Sequence, residues 1–267
     1  MAASWLAQLA AGLSPAECEE RYPPLTDLAR AVGMEPDPWQ ADLLTSQARE
    51  MILLCCRQSG KSTVAGLLAL GEAAYRPHSL VLLLSPSLRQ SSELFRKVRD
   101  GYASARRKVV LSKIRDESVL RLELANGSRV VSLPGREGTI RGFSGVSLLV
   151  VDEAARVDDA LYQAVRPMLA VSGGRIILLS TPFGKRGFFH QEWIDGGDRW
   201  QRVMVTAEQC PRIPADWLAA ERGAIGDYWF RQEYMCEFVE TADQVFGYEY
   251  VMDALSADVE PLFGGGG

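Results

Sequence analysis

The side chains best suited to chemistry lie in one short polar stretch between two apolar segments. An apolar run over residues 51–56 precedes this stretch, and an apolar-rich run over residues 64–74 follows it. A strand, a loop and a helix in this order leave free N–H groups and the positive end of the helix dipole facing the loop, which suits them to bind phosphate. The stretch itself reads Arg57, Gln58, Ser59, Gly60, Lys61, Ser62 and Thr63.

Two side chains of this stretch suit a nucleotide. Lys61 can reach the outer phosphates, and the Ser62 hydroxyl can hold a magnesium ion that bridges them. The usual phosphate-loop pattern G-x-x-x-x-G-K-[ST] would have glycine at position 55, where this chain has Cys55. The stretch therefore predicts a nucleotide site with a variant loop, and a coincidental turn is the alternative.

A second group of candidates follows another apolar run, over residues 146–151, which ends in Asp152 and Glu153. Nucleotide hydrolases place an acidic ligand for Mg²⁺ at the carboxyl end of a buried parallel strand. We expect Asp152 to take that role and Glu153 to act as the general base that polarises the attacking water. The competing interpretation is a helix beginning, where acidic residues are favoured for their charge.

Two further candidates depend on these. Ser180, Thr181 and Pro182 follow a predicted strand over residues 175–179, so the hydroxyls could contact a terminal phosphate or simply cap the next turn. The Gln40 amide could donate to and accept from one edge of adenine, or be an ordinary polar residue in the first turn of a helix. The sequence leaves both choices open.

The elements that must position these residues alternate between strand and helix. Buried-type strands over residues 51–56, 79–85, 146–152 and 175–179 predict an α/β fold with a mostly parallel sheet, and Asn126-Gly127 predicts a hairpin beside it. We expect a P-loop NTPase core with helices on both faces and a small C-terminal lid. The expected divisions are a helical lead-in over 1–35, the core over 36–182, an aromatic-rich lid over 183–240 and a tail over 241–267.

Composition sets further limits. The 267 residues carry a net charge of −5, so nucleic-acid binding would need a local basic patch. The best candidate is residues 96–108, although a solvated helix face explains the same charges. The five cysteines show no C-x-x-C spacing and indicate reduced thiols. No apolar run approaches the ~20 residues that span a bilayer, and the N-terminus lacks the basic region of a signal peptide.

The order of the motifs is more informative than any one of them. Along the chain they are Trp39-Gln40, the loop RQSGKS, Ser85-Pro86, Ile140-Arg141-Gly142, the acidic motif VVDEAA, Ser180-Thr181-Pro182, and the FRQEY and EF segments that begin at Phe230 and Glu237. This series resembles the ATPase domain of the large terminase subunit, the DNA-packaging motor of tailed bacteriophages. The resemblance covers about residues 36–239.

The resemblance implies roles for individual residues. It implies that ATP binds with Mg²⁺, that Gln40 contacts adenine, and that Arg57 is the basic residue of the family's variant loop. Residues 180–182 would couple hydrolysis to movement. Arg141, in a glycine-rich loop, would be an arginine finger that acts on a neighbouring subunit, with Arg136 as its competitor.

The resemblance also implies partners and a setting. The motor would drive double-stranded DNA into a procapsid in the host cytoplasm and bind the duplex without regard to sequence. Portal protein and a small terminase subunit would be partners. The assembled form would be a homo-oligomeric ring, with the isolated domain able to remain monomeric.

Two other functions remain as alternatives. A helicase-type translocase shares several of these motifs but normally needs a second motor domain. A non-catalytic nucleotide-binding module is disfavoured because the four key residues, Lys61, Ser62, Asp152 and Glu153, are all present. Large terminases usually add a C-terminal nuclease domain, and this chain ends near where it would begin, so we expect no nuclease activity.

Overall fold

One eight-stranded sheet organises the chain in a computed structural model that describes residues 24–135 and 142–240. The strand order is β3-β4-β5-β2-β6-β7-β1-β8, and the six strands from β5 to β8 are parallel, whereas β4 runs antiparallel to both of its neighbours. The strands are β1 (Glu50–Cys55), β2 (Leu80–Ser85), β3 (Ile114–Glu117), β4 (Arg121–Leu124), β5 (Arg129–Pro134), β6 (Leu148–Asp152), β7 (Arg175–Ser180) and β8 (Trp200–Val205).

Helices cover both faces of the sheet. Alternate side chains of β1 enter two separate cores, Met51 and Leu53 on one face and Ile52 and Leu54 on the other. Helices α1–α4 pack on the first face and α5–α8 on the second. The helices are α1 (Leu25–Ala31), α2 (Pro38–Thr45), α3 (Lys61–Tyr75), α4 (Leu88–Ala105), α5 (Asp159–Val165), α6 (Gly187–Asp195), α7 (Ala215–Ile225) and α8 (Asp227–Glu233). The predicted fold class is confirmed.

Helix α3 is the most enclosed helix near the site. It is buried over almost its whole length, and two of its glycines let neighbouring helices approach closely. A Cβ at Gly66 would lie 3.2 Å from the Lys97 Cβ of α4, and one at Gly71 would lie 2.2 Å from Leu25 of α1. Small residues at these crossings fix the helix whose first turn carries Lys61.

The first half of the chain follows the sequence pattern with small differences. The predicted hairpin at Asn126-Gly127 joins β4 and β5, and an additional strand, β3, extends it. Helix α2 ends at Thr45, because the chain turns extended at Ser46 before β1. Helix α5 ends at Val165, and the chain continues as a 3₁₀ turn that contains Pro167, which has no N–H to donate.

The segment over residues 183–240 differs more from expectation. The sequence predicts a lid here, yet strand β8 of this segment extends the main sheet in parallel register with β1. The sequence does not reveal this strand because its central residues are only half buried and show no clear alternation. The rest of the segment packs on the second face of the sheet through side chains such as Phe189 and Phe230.

Several sequence-based expectations fall on residues outside the described ranges. They concern most of the helical lead-in, the loop that carries Arg136 and Arg141, and the tail over residues 241–267. Within the lead-in, α1 is described and buries Leu28 against the first core. Among the described helices, none is long and apolar enough to cross a membrane.

Gly174, immediately before β7, provides a test of this packing. A Cβ there would lie 2.1 Å from the Val146 carbonyl oxygen, which is backbone and cannot rotate away. We expect Gly174→Ala to lower the free energy of unfolding by about 1–3 kcal/mol. Gly223 in α7 has no atom within 4 Å of such a Cβ, so Gly223→Ala should instead raise it by about 0.5–1 kcal/mol. Urea unfolding measures both, and equal stabilities would contradict this packing.

Candidate functional site

The site lies where three central strands end. Strands β6, β7 and β1 are neighbours in the sheet, with β7 between the other two. Their carboxyl ends meet at one edge, so the loop after β1, the acidic pair after β6 and the hydroxyls after β7 converge there. The sheet therefore brings together the three groups of residues that the sequence singled out.

The loop after β1 has the shape of a phosphate cradle. Gln58 and Gly60 both have positive φ, 61° and 88°, which turns the chain sharply into α3. The Gly60 carbonyl accepts from the N–H groups of Thr63 and Val64 at 3.0 and 3.2 Å, while the first N–H groups of the helix have no carbonyl within the helix to bond. These donors and the helix dipole face the loop.

The structure also accounts for Cys55, where the usual pattern has glycine. Cys55 is the last residue of β1, paired with Val205 of β8 and fully buried. Cys55 is therefore an ordinary strand residue, paired within the sheet, and is not part of the turn. A side chain is therefore accommodated, and the positive φ angles fall at Gln58 and Gly60 instead.

Lys61 and Ser62, at the start of α3, contact the acidic pair directly. The Lys61 Nζ lies 3.3 Å from Glu153 Oε1, and the Ser62 hydroxyl donates to Asp152 Oδ2 at 3.1 Å. Lys61 is 8% exposed and Asp152 6%. The four residues expected to carry phosphate and metal chemistry thus form one contiguous group.

Asp152 is in an environment that suits a cation ligand. Burial, reinforced by the charge of neighbouring Glu153, raises the pKa of Asp152 to about 6. Its carboxylate and the Ser62 hydroxyl are hard oxygen donors that meet at hydrogen-bond distance, the kind of ligand that Mg²⁺ prefers. The residues present therefore fit the expected ion.

Glu153 has a backbone conformation that is uncommon for its type. Its φ and ψ are 52° and 42°, in the left-handed region, and such strain persists where the surroundings enforce it. Its carboxylate is held at both oxygens, by Lys61 at Oε1 and by Arg156 Nη1 at Oε2, 3.0 Å away. Sequence reasoning did not single out Arg156, although it lies only three residues beyond Glu153.

The hydroxyls after β7 have two different partners. The Ser180 hydroxyl accepts from the Ala155 N–H at 3.2 Å, so it caps the turn that follows the acidic pair. The Thr181 hydroxyl accepts from Arg156 at 3.1 Å. Pro182 follows and is buried. The turn that Ser180 caps follows β6, so it is not the turn after β7 that the sequence offered as the alternative.

Arg57, at the start of the loop, is tied to α8. Its Nε donates to Glu233 Oε2 at 2.5 Å, and its backbone N–H donates to the Glu233 carbonyl at 3.0 Å. Glu233 also lies 3.4 Å from Arg156 through its other carboxylate oxygen. The sequence gives Glu233 no role of its own within the FRQEY segment, since no local pattern indicates that it contacts a loop so distant along the chain.

Gln40 is close to the loop, but its amide is occupied. Its Oε1 accepts from the Asp37 N–H at 2.9 Å and its Nε2 donates to the Ser59 carbonyl at 3.3 Å. Arg212, which sequence reasoning missed, donates to the same carbonyl at 2.7 Å and pairs with Asp37 at 2.8 Å. In the arrangement described, Gln40 fixes the loop, and contact with adenine would require its amide to exchange partners.

The cysteines that the structure describes are buried, and two of them come directly before the loop. The four described cysteines are free and buried, and burial raises the pKa of Cys55 and Cys56 to about 12. Within the described ranges, no three His, Cys, Asp or Glu side chains converge as a metal site. Arg141 and Arg136, the two candidates for the arginine finger, lie outside those ranges.

The sequence is similar to those of large terminase subunits from several phages. The chain is 26% identical over 260 residues to the large terminase subunit of Thermus virus P23-45 and 24% identical over 236 residues to that of Escherichia phage T5. These alignments cover 85% and 84% of this chain but 53% and 52% of the relatives. The chain thus spans about half the length of these relatives.

Solved structures share the fold. The large terminase ATPase domain of Thermus phage P74-26 superposes with a TM-score of 0.71 at 24% identity, covering 81% of this chain and 99% of that one. The large terminase of a thermophilic bacteriophage, described in complex with ATP-gamma-S, superposes with a TM-score of 0.61 at 13% identity, covering 76% of this chain and 52% of that one.

The family itself is established by a match along most of the sequence. The sequence model of the family described as "Terminase large subunit, T4likevirus-type, N-terminal" matches residues 52–250. That range contains the phosphate loop, the acidic pair and the hydroxyls after β7. The resemblance read from the order of the motifs is confirmed: the chain belongs to the N-terminal family of terminase large subunits.

Proposed function

We propose that this chain is the ATP-hydrolysing motor domain of a viral large terminase, which drives double-stranded DNA into a procapsid. One observation carries the proposal: Lys61, Ser62, Asp152 and Glu153 meet in a single group at the end of the central strands. Family membership supports it, as does the nucleotide analogue described in the thermophilic phage terminase of the same fold.

The residues suit hydrolysis of the terminal phosphate of ATP. Lys61 and the first N–H groups of α3 hold the phosphates. Ser62 and Asp152 would hold Mg²⁺, which would neutralise the negative charge of the phosphates. Glu153 accepts the proton of a water whose oxygen forms a bond to the γ-phosphorus. The bond from that phosphorus to the β–γ bridging oxygen breaks, giving ADP and phosphate.

Other residues around the loop have roles in this proposal. Gln40 contacts adenine after releasing one of its present partners. Arg57 binds the nucleotide as the basic residue of the variant loop. Residues 180–182 couple hydrolysis to movement. Residues 183–240, apart from the sheet strand β8, act as a lid. That role is supported by the contacts of Arg212 and Glu233 with the two ends of the loop.

The working form of the motor is a ring at the procapsid in the host cytoplasm, with the portal protein and the small terminase subunit as partners. Arg141 reaches from one subunit into the site of its neighbour and stabilises charge on the transferring phosphoryl group. Head-to-tail contacts that close by rotation produce such a ring. The isolated domain is able to remain monomeric.

Duplex DNA binds through phosphate contacts from the basic stretch over residues 96–108. Within it, Arg96 pairs with Glu93, Arg99 pairs with Asp100, and Lys97 donates to the Thr63 hydroxyl. The exposed run that follows α4 has no acidic partner among the described side chains and is the best placed to bind DNA. It consists of Arg106, Arg107 and Lys108.

The first test concerns the general base. Glu153→Gln should lower kcat by about 10²–10⁴-fold, because the amide cannot take the proton of water, while a fluorescent ATP analogue still binds. Glu237→Gln makes the same chemical change at a surface ion pair with Arg231 and should leave both measurements unchanged. Steady-state phosphate release measures kcat. Full activity in Glu153→Gln would refute the assignment of the base.

The second test concerns the finger. Glu153→Ala and Arg141→Ala proteins should each be inactive and should recover ATPase activity when mixed, because some interfaces then combine an intact base with an intact finger. Wild-type activity per subunit should rise with protein concentration. The same mixing with Arg136→Ala distinguishes the two arginines. If Arg141→Ala alone keeps full activity, the finger lies elsewhere.

The third test concerns DNA. Replacing Arg106, Arg107 and Lys108 by glutamine should weaken duplex binding equally for unrelated sequences. It should also reduce the salt dependence, log Kd against log salt, by about one unit for each DNA phosphate that the variant no longer neutralises. The matched control removes three exposed charges elsewhere, through Arg30→Gln, Arg222→Gln and Arg231→Gln. Equal DNA affinity in the two triple variants would contradict the assignment.

A further inference from the structure

Arg156 contacts several side chains of the site, and the function proposed above gives it no role. Its Nη1 lies 3.0 Å from Glu153 Oε2 and 3.1 Å from the Thr181 hydroxyl, and its Nη2 lies 3.4 Å from Glu233 Oε1. The guanidinium also lies over the Phe183 ring, 4.7 Å from its centroid. The side chain is 25% exposed, so solvent only partly screens these contacts.

The backbone near Arg156 is fixed as firmly as its side chain. Arg156 ends a 3₁₀ turn whose N–H groups are bonded, from Arg156 to the Glu153 carbonyl at 2.9 Å and from Ala155 to the Ser180 hydroxyl at 3.2 Å. Glu153 precedes the turn in its left-handed conformation. The distance between the two side chains is therefore set by a short, braced segment.

We propose that Arg156 is a positioning residue for hydrolysis, which fixes the direction of the Glu153 carboxylate. This inference rests on the proposed function of Glu153 as general base. Arg156 holds Oε2, so the other oxygen, Oε1, is the one directed towards Lys61 and the phosphate loop. Without Arg156 the carboxylate is held only at Oε1 by Lys61 and can rotate about that contact, so the oxygen that must meet the water is no longer fixed in place.

The network also explains why an arginine suits this position. A planar guanidinium has five donors in a fixed fork, so it can bond Glu153, Thr181 and Glu233 at once and stack on Phe183. A lysine keeps the charge as a compact point and cannot hold the same three acceptors in one orientation. Two of the acceptors directly follow β6 and β7 and the third lies in α8, so Arg156 ties the base to separate parts of the fold.

The experiment compares Arg156→Gln and Arg156→Lys with wild type. Misplacing a catalytic group by about 1 Å can cost roughly 10²-fold, so we expect Arg156→Gln to lower kcat by about 10–100-fold, with Arg156→Lys between it and wild type. The Kd of a fluorescent ATP analogue should stay within about threefold, because Arg156 contacts none of the residues that hold phosphate. Single-turnover phosphate release confirms that the chemical step has slowed.

A matched control comes from the opposite end of the second face. Arg166 is 33% exposed, pairs with Glu50 and Glu192 and lies over the Tyr162 ring, so it resembles Arg156 in burial and partners but is remote from the loop. Arg166→Gln should lower the melting temperature as much as Arg156→Gln and leave kcat unchanged. If Arg156→Gln does not fold, Arg156→Lys carries the test, because it keeps the charge.

A double variant separates positioning from any other effect. If Arg156 acts through Glu153, adding Arg156→Gln to Glu153→Gln should cause no further loss of kcat, since the group that it positions is already gone. Additive losses, or full kcat in both Arg156 variants, would overturn the inference while the ATPase function stands. An inactive wild type, or a fully active Glu153→Gln, would overturn the proposed function and this inference with it.

Discussion

Two adjacent carboxylates at the end of a buried strand are the constraint on which the rest of the site depends. Burial makes the charge of Asp152 costly and repulsion from Glu153 adds to that cost, as the raised pKa of Asp152 shows. The neighbouring side chains offset this cost. Lys61 and Arg156 each hold one oxygen of Glu153, and the Ser62 hydroxyl bonds Asp152. Removing either cation would leave a partly buried negative charge without compensation.

This balance of charge is possible only because of the order of the strands. One strand, β7, separates β1 from β6. At that spacing the Lys61 and Ser62 side chains, at the start of α3, reach across to Glu153 and Asp152. Continuous apolar strands bury both faces of the sheet and so lower the dielectric at its edge, where each charge interaction becomes stronger. The same burial that makes the carboxylates costly makes their partners effective.

The sequence could predict what depends on near neighbours along the chain. The apolar run, the loop and the helix around Lys61 are encoded by neighbouring residues, and so is the strand that ends in Asp152. The two strands, β1 and β6, are confirmed as elements of a mostly parallel sheet. The contacts of Arg57 with Glu233 and of Arg212 with Ser59 join residues far apart along the chain, so no periodicity could show them. Strand β8 could not be predicted because an edge strand with half-buried side chains lacks the pattern of a buried one.

These long-range contacts change what the C-terminal segment is. Gln40 and Arg212 both donate to the Ser59 carbonyl, so two side chains from outside the loop hold its shape. Glu233 holds the other end of the loop through both the side chain and the backbone of Arg57. Because residues 183–240 supply Arg212 and Glu233 as well as a strand of the sheet, they help to position the loop after β1, and a displacement of α8 would break the contacts that hold Arg57.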